Sequence, residues 1–210
     1  MNNKKPVIVL GSGGHAGVVI EILKLERRKI IGLIDPSKPT GEKHFGYKII
    51  GDDSSILSYS SKEVALVNGI GSIPEETSRW KVAKEMRLKG FQFESMIHPN
   101  SILSPSISIS EGVQIMAGCI LQNDVSIGLD SIINTGSIID HNCKIGTNCH
   151  IAPGCTLSGG VVVRDNSHLG TGTTVIQGIT IGENVIVGAG SVIYKNVTTN
   201  TKFIQKKEER

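Results

Sequence analysis

From Ile97 to Ile193 every sixth residue is isoleucine, leucine or valine, without one insertion. A helix repeats its faces about every 3.6 residues and a strand about every 2, so this period excludes a helical bundle and an ordinary sheet. It fits a parallel β-solenoid, in which each hexad supplies a short strand and a turn and points its aliphatic leader into a stacked core. Four places after the leaders comes a second small or apolar residue, among them Ser101, Val113, Cys119, Val125, Ser131, Cys143, Cys149, Cys155, Thr173, Val185 and Ser191.

This register assigns the cysteines. Cys119, Cys143, Cys149 and Cys155 are all the cysteines of the chain, and all occupy the inward slot, where a thiol is a compact apolar filler. There is no CxxC pair, so neither a disulfide nor a thiolate metal centre is expected. The histidines fall elsewhere. His141 stands two places after its leader, at a turn, while His150 and His168 stand five places after theirs. The last two are eighteen residues apart, which stacks them on one edge of a three-sided coil, one coil apart.

Before Ile97 the pattern changes. VIVL at 7–10 reads as a buried strand, VVIEILKLERR as a helix, IIGLID at 30–35 as a second strand and VALVNGIG at 64–71 as a third. Pro74 precedes a second helix that Gly90 ends. The predicted domain is a small parallel sheet of three or four strands with a polar loop over about residues 36–56. Gly11, Gly13 and Ala16 match G-x-G-x-x-[GA] between strand and helix, where backbone N–H groups can hold phosphate. Asp35 ends the second strand, the place of a ribose-binding carboxylate. Residues 1–96 leave no room for the second half of a dinucleotide fold, so a single nucleotide with its diphosphate at the glycines fits better.

Composition removes other classes. A net charge of +3 and 4% aromatic residues offer neither a phosphate-tracking surface nor a base-stacking platform, so no nucleic-acid partner is expected. No segment approaches the ~20 apolar residues of a membrane span, and MNNKKPVIVLGSGG has too short an apolar run for a signal peptide. A cytoplasmic protein without membrane contact is expected. Its predicted parts are a nucleotide-binding domain at 1–96, a solenoid at 97–197 and a tail at 198–210.

The loop GSGGHAG, the strand end LID, the strand NGIG, the junction MIHPNSILSPSISIS and the hexads around SIIDHNCKIGTNCHIAPG together resemble the NeuD/PglD-like family of sugar acyltransferases. The resemblance covers nearly the whole chain. It implies a Rossmann-like α/β domain followed by an all-β left-handed parallel β-helix, assembled as a homotrimer with active sites between neighbouring helices. It also implies acetyl-CoA as co-substrate, a nucleotide-linked amino sugar as acceptor, and no metal. By position His141 matches the general base, His150 the histidine near the acetyl thioester, and Asn134 a contact to the acceptor sugar. Thr171 and Ala189 fall where backbone lines the CoA arm. Gly13, Gly14, His15, Asp35, Pro36 and Gly71 match the nucleotide-sugar pocket.

Two departures stand out. The family commonly places a carboxylate directly after the base histidine, and this chain has Asn142, which can orient an imidazole but cannot stabilise imidazolium by charge. Either the base is weaker here, or Asp140 or a carboxylate of another subunit supplies that charge. The C-terminus reads NVTTNTKFIQKKEER in place of the usual GVPAK-like segment, with Lys202, Lys206 and Lys207 as conceivable partners for the CoA phosphates, in what reads as a solvated tail. The expected chemistry is direct N-acetylation of an amino-deoxy sugar, His141 taking the amine proton, in surface-glycan or glycoprotein sugar synthesis. Three other readings compete: O-acetylation of a sialic-acid-like sugar; a γ-carbonic-anhydrase-type zinc enzyme using His141, His150 and His168; and a non-catalytic sugar-nucleotide-binding solenoid.

Overall fold

The computed structural model describes residues 4–204. The chain divides into two compact units between Pro99 and Asn100, three residues past the boundary expected from the repeat.

The first unit is built on β1 (Val7–Leu10), α1 (Gly14–Leu25), β2 (Ile30–Ile34), β3 (Lys43–His44), β4 (Tyr47–Gly51), β5 (Ala65–Asn68) and α2 (Ser78–Leu88). The strands form one sheet in the order β3-β4-β2-β1-β5. β4, β2, β1 and β5 are parallel, and β3 pairs antiparallel with β4. The sheet is therefore one strand larger than expected. The segment read as a polar loop holds a hairpin and a 3-10 turn over Asp53–Ser58, because a two-residue strand and a β4 exposed on one face carry too little apolar periodicity to register. Central β1 is buried throughout, as a parallel strand covered on both faces must be. Ile8, Leu10, Ile34, Leu66, Met86 and Phe93 pack into its core, each burial contributing on the order of 1.5–3 kcal/mol.

The second unit is a parallel β-solenoid. Two-residue strands within the stack pair with strands eighteen residues before and after them, as Ile120–Leu121 does with Ile102–Leu103 and Ile138–Ile139. One sheet runs from Ile102–Leu103 to Val192–Ile193 and a second from Ser108–Ile109 to Thr180–Ile181. A third carries Gln114–Ile115, Ile132–Ile133, His150–Ile151, His168–Leu169, Ile186–Val187 and Lys202–Phe203. From the hexad of Ile109 to that of Val187 the turn contains one residue in the left-handed region, three places after the leader. From Gly112 to Gly190 that position is glycine, asparagine or aspartate without exception, at φ between 53° and 73°. These are the residue types that reach this conformation at least cost.

The last coil is shortened by two residues. Lys202 pairs with Ile186 sixteen places back, and Val197 bridges Ile181 at the same spacing. Residues 198–204 thus continue the solenoid where a solvated tail was expected, and Lys202 takes an outward, exposed position. Lys206 and Lys207 lie outside the described residues.

Candidate active site

The six residues expected to meet a nucleotide sugar, Gly13, Gly14, His15, Asp35, Pro36 and Gly71, line one cavity of about 510 Å³ in the first unit. The glycine turn follows from geometry: Gly11 has φ +87°, and a Cβ there would stand 3.2–3.3 Å from the backbone of Gly69 and Ile70. Helix α1 begins after Gly13 with no side-chain cap on that residue and no acidic residue in its first turn, so its positive dipole end faces the cavity. That is an anion-binding arrangement.

Asp35 holds this loop in shape. One carboxylate oxygen accepts from the Ser12 N–H and hydroxyl at 3.0 and 2.5 Å, and the other from the Ser37 N–H and hydroxyl at 2.9 and 2.7 Å. Burial alone would raise its pKa, but these four donors outweigh it and hold the group below its ordinary value. Asp53, which sequence reasoning passed over, also lines the cavity. It moves the opposite way: burial first, then Glu85, Asp52 and Asp35, push its pKa up, with Lys89 opposing.

In the solenoid His141 is exposed at a turn, and its main chain is fixed by a 2.7 Å bond from its N–H to the Asp140 carboxylate and a 2.8 Å bond from the Gly160 N–H to its carbonyl. Its Nδ1 lies 2.8 Å from Asn142 Oδ1. An amide oxygen only accepts, so Nδ1 carries the proton and Nε2 presents the lone pair. Asn142 occupies the left-handed turn position at φ 60°, so one residue satisfies the turn and orients the ring. The face of the ring rests over Gly159, one coil on: a Cβ at Gly159 would lie 2.5 Å from both Cε1 and Nε2. Gly159 was missed from sequence, although its place eighteen residues after His141 is readable from the register. Its N–H donates no hydrogen bond among the described residues.

Asn134 and His150 meet as well. Asn134 Oδ1 accepts from the Thr135 N–H at 2.8 Å, which turns its amide N–H₂ toward His150 Nε2 at 3.0 Å. His150 Nε2 is therefore an acceptor and the ring a neutral, Nδ1-protonated imidazole. His168 pairs with His150 in the ladder, and the rings meet edge-on with centroids 4.6 Å apart. Burial lowers the pKa of His168, and its Nδ1 has no partner among the described residues. Thr171 and Ala189 stand exposed on successive coils of the edge that follows the His150 sheet, their N–H groups unclaimed among the described residues.

The two clusters do not share an edge of the coil. Asn134 follows the strand Ile132–Ile133, which lies in the same sheet as His150, whereas His141 follows Ile138–Ile139 in the next sheet round. His141 also commits Nδ1 to Asn142, and no group of three His, Cys, Asp or Glu side chains among the described residues is placed to hold a metal ion. The zinc reading, which needs three histidines converging on one point, finds no support in this geometry. The cysteines sit buried in the inward slot, and burial raises the pKa of each, that of Cys149 to about 12.

Residues 6–86 match the profile described as the PglD N-terminal domain, and residues 124–159 and 160–195 match bacterial transferase hexapeptide repeats. A search of curated proteins finds no match. Among solved structures, the H141N variant of perosamine N-acetyltransferase from Caulobacter crescentus, in complex with CoA and GDP-perosamine, is 35% identical. The alignment covers 95% of this chain and 93% of that one, with a TM-score of 0.88. The acetyltransferase domain of PglB from Neisseria gonorrhoeae, in complex with acetyl coenzyme A, is 27% identical over 94% of this chain and 95% of that one, TM-score 0.85. WeeI from Acinetobacter baumannii, 23% identical over 93% and 94%, TM-score 0.83, shares the fold. With the identity, the coverage and both domain profiles in agreement, the chain belongs to the NeuD/PglD-like family of acetyl-CoA-dependent sugar acetyltransferases.

Proposed function

We propose that this enzyme transfers the acetyl group of acetyl-CoA to the amine of a nucleotide-linked amino-deoxy sugar, with His141 as general base. The observation that carries this reading is the His141–Asn142 contact, which places the proton on Nδ1 and leaves Nε2 as a lone-pair base over Gly159. The neutral sugar amine attacks the thioester carbonyl, its proton passes to Nε2, and as the C–S bond breaks Nε2 returns that proton to the sulfur, so that CoA leaves as the thiol. Such a base contributes on the order of 10²–10⁴-fold. The Gly159 N–H and the His150 region supply donors for the oxygen on which charge develops. The Thr171 and Ala189 N–H groups suit the amide-bearing arm of CoA. The positive N-terminal end of α1 suits the diphosphate, and the relatives crystallised with CoA and GDP-perosamine and with acetyl coenzyme A support these two ligand classes.

A site that uses both His141 and the Asn134–His150 pair has to draw them from two chains, since one chain carries them on different edges. A homotrimer supplies that. The outward column Ile102, Ile138 and Val192 on one sheet, 67%, 39% and 43% exposed, is the apolar surface for it.

The test is to incubate the purified chain with acetyl-CoA and a GDP- or UDP-linked 4-amino-4,6-dideoxy sugar and to weigh the product. Gain of one acetyl that survives mild base shows the amide. An acetyl lost in mild base would assign an ester and overturn the amine as acceptor.

A further inference from the structure

We propose that Asp53 reads the base of the sugar nucleotide and selects guanine. The inference rests on the reading of the N-terminal cavity as a nucleotide site and adds the identity of the nucleotide.

The order of the sheet gives the direction in which a nucleotide lies. The strands run β4-β2-β1 toward β5, and the loops at their carboxyl ends build the cavity wall: Gly11–His15 after β1, Asp35–Ser37 after β2 and Asp53 after β4. Anions belong at the helix N-terminus after β1. The neighbouring strand end carries the ribose in folds of this type. The base then falls over the next strand, ~10 Å from the phosphate end at the usual strand spacing. Asp53 stands there.

The chemistry of Asp53 fits that position. Asp35 has both oxygens filled by Ser12 and Ser37, whereas the half-buried carboxylate of Asp53 accepts no hydrogen bond among the described residues. A carboxylate left in that state beside other carboxylates calls for N–H donors from a ligand. It also calls for the end of the ligand farthest from the diphosphate, since like charges repel. Guanine offers N1–H and the N2 amine side by side, a match for two carboxylate oxygens. Uracil offers one N3–H between two carbonyl oxygens, which a carboxylate repels. Pro36 and Val82 line the same cavity and provide apolar surface for the faces of a purine.

Calorimetric titration of the full chain with GDP, IDP and UDP tests this. GDP is expected to bind at least ~10-fold more tightly than UDP, and IDP, which lacks only the N2 amine, ~5–50-fold more weakly than GDP. In Asp53→Asn the affinity for GDP is expected to fall to that of UDP while UDP changes little. The IDP comparison uses the unaltered protein, so it decides the matter even where the variant fails to fold. Equal binding of GDP and IDP, UDP as tight as GDP, or a uniform loss for all three in Asp53→Asn would overturn guanine selection while leaving the nucleotide cavity in place. Absence of binding by all three would overturn the cavity reading itself.

Discussion

Asn142 shows how one residue answers two demands. The hexad requires glycine, asparagine or aspartate at that turn position, and the imidazole beside it requires an acceptor for Nδ1–H. Glycine meets only the first, and glutamate meets the first at a cost on the order of 1–2 kcal/mol. The sequence showed the departure from the family's carboxylate but not that the position is a left-handed turn, because φ is a property of the folded coil. Aspartate satisfies both demands and adds charge. In Asn142→Asp the imidazolium that forms as the amine proton is taken gains a carboxylate partner, so kcat is expected to rise a few-fold while Asn142→Gly, which leaves the ring without a partner, loses ~10-fold. Unchanged kcat in both would show that residue 142 does not act through His141. Gly159 answers a demand of space. Gly159→Ala puts a methyl 2.5 Å from Nε2 and displaces the ring, so kcat is expected to fall ~10–100-fold with the melting temperature nearly kept. An equal fall in both would make Gly159 a folding residue only.

At the scale of the hexad, the inward slot proves more specific than an apolar filler. Each thiol there points to a carbonyl one coil on: Cys119 to Asn134, Cys143 to Ser158, Cys149 to Arg164 and Cys155 to Gly170, at 3.1, 3.2, 3.1 and 3.3 Å. Ser131, Ser137 and Ser167 donate to Gly146, Ala152 and Gly182 in the same way. Cysteine and serine interchange along the repeat because both carry a short donor that satisfies this carbonyl. The buried thiols are therefore expected to resist a disulfide reagent at pH 8 until the solenoid unfolds, and reaction of the native protein at the unfolded rate would contradict the slot assignment. The stacked His150 and His168 were legible as an eighteen-residue repeat, but the burial of His168 was not. Its folded-state pKa lies below the unfolded value, so the unfolded chain binds more protons as pH falls below ~6.5 and stability drops in that window. His168→Phe is expected to lose less melting temperature than the parent between pH 7 and 5; parallel curves would remove His168 as the source.

For the whole molecule, the solenoid was readable almost to the residue, since a period of six survives any detail of side-chain packing. The first unit was read more coarsely: its glycine loop and both flanking strands were placed, yet β3, β4 and Asp53 fell in a stretch taken for a loop. The last coil was cut short because its two-residue contraction breaks the register from which the coils were counted. Within the site, residue types and spacing singled out His141, His150, His168, the glycine turn and Asp35, and the family resemblance added Asn134, Gly14, His15, Pro36 and Gly71. Tautomers, the Asn134–His150 bond and the separation of the two clusters on different edges come from geometry. The claim that binds these scales together is that His141 Nε2 takes the amine proton. Release of CoA thiol from acetyl-CoA in the presence of a nucleotide-linked amino sugar, compared between the parent and His141→Ala, tests it most directly. The account predicts turnover in the parent and a loss of ~10²–10⁴-fold in the variant, with acetyl-CoA and sugar nucleotide still bound. Unchanged turnover in His141→Ala would contradict it.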